Sequence, residues 1–162
     1  MVTKYDIFEF IYANSHPVKP VEIVKKFRKS QREYDNMYRL LRELEQESLL
    51  IKTSQGFQVK KTEKANMLYE IIYYCLRNEL NYNTLLNPRL AEFVSKALQK
   101  KEITTKDVSI HAITFRKYID ILSKNELLLI ISEKPLRVTV FYNLLLNNLL
   151  VYFGYKKGTE KP

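Results

Sequence analysis

Glycine, cysteine and histidine are scarce in this 162-residue chain, which has three, one and two of them. Three glycines leave little room for a Gly-rich phosphate loop. With only five prolines beside them, they disfavour a turn-rich all-β fold and favour helices. The single Cys75 excludes an intrachain disulfide and fits a reducing compartment. It lies on an apolar helical stripe, where a thiol packs rather than attacks. His16 and His111 have no cysteine companions, so a zinc site would need unusual carboxylate help. No catalytic constellation is visible; the chain reads as a non-enzyme without metal or other cofactor. Long apolar runs are missing too. Val138 to Phe153 falls short of the ~20 residues that span a bilayer, and Asn143, Asn147 and Asn148 interrupt it. The opening MVTKYDIFEF has no basic stretch ahead of an apolar one, so no signal peptide is evident. The expectation is a soluble, cytoplasmic protein with no membrane partner and no evident small-molecule ligand.

What is present is positive charge. Lys and Arg number 27 against 18 Asp and Glu, a net +9. Such a balance fits a polyanion, either nucleic acid or an acidic membrane surface. A hydrophobic share of 46% argues for a folded chain rather than a disordered one.

The most informative stretch runs from Ser30 to Lys61. Ser30 and Glu33 have the spacing of a capping box. Tyr34, Met37, Leu40, Leu41 and Leu44 then follow the period of one helix face, opposite Arg32, Asp35, Asn36, Arg39 and Glu43. After Ser48 the period shortens. Leu49 to Thr53 is β-prone, Ser54-Gln55-Gly56 turns, and Phe57 to Lys60 alternates as a strand does. Upstream, Tyr5, Ile7, Phe8, Ile11 and Tyr12 suit a helix from Lys4 to Ala13. Pro20 suits a first helical position for a helix that buries Val21, Ile23, Val24 and Phe27. Arg28-Lys29 turns into Ser30. The order helix, helix, turn, long helix, hairpin, with the skeleton VEIVKKF…YRLLRELEQESLLIK, resembles the winged helix-turn-helix domain of many bacterial and archaeal transcription regulators. The resemblance covers about residues 4–61; Arg28-Lys29 stand where such regulators often have a glycine.

The rest reads as support and as a second copy. Thr62-Glu63 starts a helix with Met67, Leu68, Ile71, Ile72, Cys75 and Leu76 on one stripe, running to about Leu80. Asn87-Pro88 opens another helix, burying Leu90, Phe93, Val94, Ala97 and Leu98. Thr104 and Asp107 start a short helix. Ser109 is read as the cap of the next, with Ile113, Tyr118, Ile121 and Leu122 on its apolar face. Leu127 to Ile131 is a strand, Ser132 to Pro135 a turn, and Leu136 to Val140 the return strand. A shift of 78 residues lays Leu44 on Leu122, Leu49 on Leu127 and Ser54 on Ser132, a structural repeat with few identities. The expected fold is mainly α with two small β-hairpins (α+β): tandem winged-helix domains joined by a long helix. Its parts are a first domain at 1–62, a connecting helix and linker at 63–86, a second domain at 87–153, and a basic tail at 154–162. Phe141 to Phe153 is apolar nearly all round and must be covered. The favoured cover is a second subunit; the alternative is packing between the two halves of one chain.

The resemblance implies a duplex DNA partner, read by the second helix of the motif in the major groove. By position, Ser30, Gln31, Arg32, Asp35, Asn36 and Arg39 lie there. Arg suits guanine, and Asn or Gln adenine. Lys25, Lys26, Arg28 and Lys29 would neutralise phosphates, and Thr53, Ser54, Gln55 and Lys60 form the wing. In the second unit His111, Thr114, Arg116 and Lys117, with Lys134 and Arg137, are the analogous set. The implied function is a transcription regulator working as a homodimer, joined through the connecting helix or the C-terminal helix. Two rivals stay open: a winged-helix protein–protein scaffold, and an RNA or single-strand binder using the 12 tyrosines for stacking.

Overall fold

A computed structural model describes residues 1–27 and 31–155, with the side chains of residues 31–33 also outside the description. The capping-box expectation at Ser30 and Glu33, and the positions Arg28 and Lys29, lie outside it. The chain is mainly helical with two antiparallel hairpins, and it divides into two compact units, Met1–Ile72 and Tyr73–Pro162. The division falls between residues 72 and 73, inside a helix that lies within the stretch 63–86.

In the first unit, α1 (Lys4–Ala13) is started by a capping box. Asp6 N–H donates to Thr3 Oγ1, and Thr3 N–H donates to Asp6 Oδ2 at 2.8 Å. Tyr5, Ile7, Phe8 and Ile11 of α1 are buried. The helix α2 (Pro20–Phe27) begins at proline, where no backbone donor is lost. It buries Ile23, while Val21, expected inside, is exposed at the first turn. The helix α3 (Gln31–Gln46) packs Met37, Leu40, Leu41 and Leu44 inward, against α1 and β1. The hairpin β1 (Leu50–Thr53) and β2 (Gly56–Val59) pairs Leu50 with Val59 and Lys52 with Phe57. Val18 adds a third, one-residue strand: its N–H donates to Phe57 O at 2.7 Å and Phe57 N–H donates back at 2.8 Å. That close approach dictates Gly56. Its φ is +131°, and a Cβ there would sit 2.6 Å from Val18 O, so no other residue fits without strain.

The helix α4 (Glu63–Arg77) starts where Thr62 Oγ1 accepts from Ala65 N–H. It buries Leu68, Ile71, Ile72 and Cys75. It stops at Arg77 rather than near Leu80, and Leu76, expected on the buried stripe, is exposed.

The second unit repeats the order. After a one-turn α5 (Tyr82–Leu85), α6 (Pro88–Gln99) follows an Asn87 cap and an N1 proline, as expected. A 3₁₀ turn at Thr105–Asp107 is closed by the Thr104/Asp107 capping box. Before it, Ile103 exchanges backbone hydrogen bonds with Val138, as Val18 does with Phe57. The helix α7 (Ala112–Lys124) has His111, not Ser109, at its N-cap, without a side-chain cap bond. Its buried face is Phe115, Tyr118, Ile119 and Leu122, whereas Ile113 is 86% exposed. Tyr118 and Leu122 are buried as expected, while Phe115 and Ile119 take the places expected of Ile113 and Ile121. Strand β3 (Leu128–Glu133) runs two residues further than expected, bulged at Ile131, and turns at Lys134-Pro135 into β4 (Leu136–Val140). The last helix α8 (Leu144–Tyr152) buries Leu145, Leu146, Leu149 and Leu150 and packs on α6. Its cover therefore comes from its own unit, and the argument for a second subunit at this helix falls away.

Four helices end in the same way. Leu49, Leu80, Leu127 and Tyr155 each donate an amide to the carbonyl five residues back, at Leu44, Cys75, Leu122 and Leu150. The residue before each donor is left-handed: Ser48 (φ 61°), Glu79 (57°), Glu126 (58°) and Gly154 (93°). This is the Schellman geometry with an apolar pair across it, and only the last example uses glycine.

Candidate nucleic-acid interface

The inward turn of Met37, Leu40, Leu41 and Leu44 leaves Asp35, Arg39, Arg42 and Gln46 on the solvent side of α3. Asn36 is half-buried beside them. Asn36 and Arg39 are not independent. Arg39 Nε and Nη2 both donate to Asn36 Oδ1, at 3.0 and 2.7 Å, and Nη1 donates to Glu43 Oε1 at 2.6 Å. With its side chain 61% exposed, such an i,i+4 pair is worth only ~0.3–0.5 kcal/mol. The guanidinium can therefore leave it for a stronger acceptor. Asn36 keeps its amide N–H₂ for an outside acceptor while its oxygen serves Arg39.

Lys25 and Lys26 are exposed in the last turn of α2. In the hairpin, Ser54 and Gln55 are exposed at the tip. Thr53 is different, because its hydroxyl donates to Gly56 O at 2.9 Å and accepts from Gln55 N–H; it shapes the turn. Lys60 is exposed just past β2, lining an open cleft of about 720 Å³ with His16, Gln58, Lys61 and Asn66. The side chains of Gln31 and Arg32, and Ser30 entirely, fall outside the described residues.

In the second unit His111 and Lys117 are exposed and Thr114 is half-buried. His111 and Thr114 meet at a recess of about 300 Å³ that also takes in Arg89, Glu92, Lys96 and Ser109. Lys96 is held by Glu92 at 3.5 Å. Lys134 is exposed at the hairpin turn, and Arg137 on β4 faces Glu102 at 3.5 Å. On α7, Arg116, Lys117 and Lys124 are exposed with Asp120.

Reading the sequence missed Arg42, Lys52, Arg89 and Lys96. Arg42 lies three residues past Arg39, a spacing that keeps the same face. Lys52 opposes Phe57, with its ammonium 6.0 Å from the ring centre. Arg89 and Lys96 had no local signal, since the recess forms only when α6 meets the segment before α7.

Cys75 is fully buried, and burial pushes its thiol up to about 11, which suits packing and not nucleophilic attack. Among the described residues no cluster of His, Cys, Asp or Glu could hold a metal ion. No described helix is long and apolar enough to cross a membrane. No protein family, curated protein or solved structure matches the chain.

Proposed function

We propose that the chain is a double-stranded-DNA-binding protein built of two winged-helix units, acting as a transcription regulator, with α3 as the helix that enters the major groove. The observation that carries this reading is the division of α3: four apolar side chains inward, Asp35, Arg39 and Arg42 outward, and a hairpin directly after it. The third strand at Val18 gives the unit the small sheet of a winged helix. A net charge of +9 supports a polyanionic partner. Lys25, Lys26, Ser54, Gln55 and Lys60 are placed for phosphates, which position a protein without reading sequence.

Four tyrosines are already occupied within the fold. Tyr12 and Tyr69 stack with ring centres 3.6 Å apart, and Tyr34 bonds Tyr38. That favours a duplex over a single strand, which needs open stacking faces. The scaffold reading is favoured by one observation, the Asn36–Arg39–Glu43 chain, which makes the α3 surface mixed in sign.

A mobility-shift titration on random duplex across a salt series separates the readings. DNA binding predicts retention at low salt that weakens steeply as salt rises. The double variant Lys25→Ala/Lys26→Ala is expected to weaken all sequences alike and to reduce the salt slope by about two. No retention at low salt rejects the proposal and leaves the scaffold reading.

A further inference from the structure

The open cleft of about 720 Å³ lies wholly within the first unit, between the end of α1, the hairpin and the first turn of α4, and takes no lining from α3. Its size falls in the range of roughly 300–1,000 Å³ that small-molecule sites occupy. The register pairs Ile51 with Gln58, so both stand on the hairpin face away from buried Leu50 and Phe57. Ile51, 43% exposed, and half-buried Tyr12 give the cleft an apolar wall, and Tyr12 is held by its stack on Tyr69. Gln58 and Asn66 add exposed carboxamides, each able to donate and to accept. Lys60 and Lys61 are consecutive, exposed, and both line the cleft. Their backbone is pinned: Lys60 N–H donates to Leu49 O at 3.0 Å, and Thr62 N–H donates to Lys60 O at 2.9 Å. Among the described residues neither lysine has an ion pair, and no acid lines the cleft. His16, also in the lining, is engaged with Glu22 at 3.2 Å.

We infer that this cleft is a binding site for a nucleoside monophosphate. Two adjacent ammonium groups with no acid beside them match one compact dianion, and a phosphate monoester carries nearly two charges on three acceptor oxygens. Carboxylates spread along a peptide would not concentrate charge at one point. The apolar wall of Ile51 and Tyr12 suits the flat face of a base. Gln58 and Asn66 can meet a base edge, which presents donors and acceptors together. Each part of the ligand therefore has its counterpart: phosphate on Lys60 and Lys61, base face on the wall, base edge on the carboxamides. A nucleic-acid strand would need cations along its whole path, whereas here the unpaired ones gather in a single dipeptide.

The inference needs no contact from α3, and its test is run without DNA, so its failure leaves the reading of α3 standing. The whole chain is titrated with AMP, GMP, CMP and UMP, followed by calorimetry and by amide NMR shifts. At least one nucleotide should bind below about 1 mM and move the amides of residues 58–61. Its nucleoside and inorganic phosphate should each bind at least about tenfold more weakly. Lys60→Gln/Lys61→Gln should weaken the nucleotide at least about tenfold with an unchanged helical circular-dichroism signal, since both side chains are exposed. Gln58→Leu/Asn66→Leu should level the four nucleotides. Lys101→Gln, in the second unit, should change nothing. Binding of none of the four would overturn the proposal. So would inorganic phosphate binding as tightly as the nucleotide, a glutamate-rich peptide or a single-stranded pentanucleotide binding more tightly, or indifference to Lys60→Gln/Lys61→Gln.

Discussion

In the first unit Leu49 donates to Leu44 and Ser48 holds φ at 61°; in the second, Leu127 donates to Leu122 and Glu126 holds φ at 58°. Each stop sends the chain into a hairpin whose second strand is bridged by a single residue, Val18 or Ile103. The frames agree, yet the surfaces part. The first hairpin has Lys52, Ser54 and Gln55 in solvent. The second exposes Leu129, Ile130 and Ile131. Backbone hydrogen bonds and inward apolar residues are shared because both are needed to close a small core. The outward positions carry no such requirement, so the two hairpins can differ in how much apolar surface they show, Ile51 alone in the first and three consecutive residues in the second.

The strongest way to break this correspondence is at Gly56, which has no glycine counterpart in the second hairpin. Gly56→Ala puts a Cβ against the Val18 carbonyl at a φ that side chains rarely adopt, at a cost of about 3 kcal/mol. Hydrogen exchange should show the Val18 and Phe57 amides losing protection while Ile103 and Val138 keep theirs. Loss at all four sites would mean that the units do not open separately. Loss at none would mean that the glycine is not what shapes the first hairpin.

The elements that could be read from the sequence were those with a period. The inward stripe of α3 and the start of α6 at Asn87-Pro88 were legible, as was the shift of 78 residues between the two helix stops. The stops themselves were not, because Ser48, Glu79 and Glu126 do the work usually given to glycine and no composition rule marks them. Val18 and Ile103 were missed because a one-residue strand has no period. Thr3-x-x-Asp6 had the spacing of a capping box and could have been found. At the candidate interface, exposure of Lys25, Lys26, Ser54 and Gln55 agrees with their polar character. The bond between Asn36 and Arg39 was implicit in the i,i+3 spacing, yet the two were read as separate. The cation recess at Arg89 and Lys96 depends on tertiary packing and left no mark in the sequence.

A smaller effect tests whether the shared helix stops are equivalent in energy as well as shape. Ser48→Gly and Glu126→Gly each relieve a left-handed residue, offset by the freedom glycine gains when unfolded. Each should stabilise the protein by about 0.5 kcal/mol in denaturant titration. Equal gains would extend the likeness of the units from geometry to stability, and a gain at one alone would confine it to shape.

The finest distinction lies in the acids that cap the two units' short elements. Asp107 accepts from Lys100 Nζ at 2.8 Å, from Thr104 N–H at 2.8 Å and from the Thr104 hydroxyl at 3.1 Å. The Lys100 ammonium, followed by the Thr104 amide, holds its carboxyl down at about 2, against an ordinary 3.8. A depressed carboxylate stabilises the fold fully above its unfolded value, and that support is lost as pH falls through the folded one. The turn at Thr105–Asp107 should therefore loosen between about pH 4 and pH 2. A carboxyl NMR titration should place the Asp107 midpoint near 2. Lys100→Met should raise it more than Thr104→Val, since the ammonium is the larger cause. Added salt should raise it in the wild type and much less in Lys100→Met, because the pair is exposed and screened. Asp6 takes the same capping role in the first unit, accepting from the Thr3 amide at 2.8 Å and from the Thr3 hydroxyl at 3.1 Å.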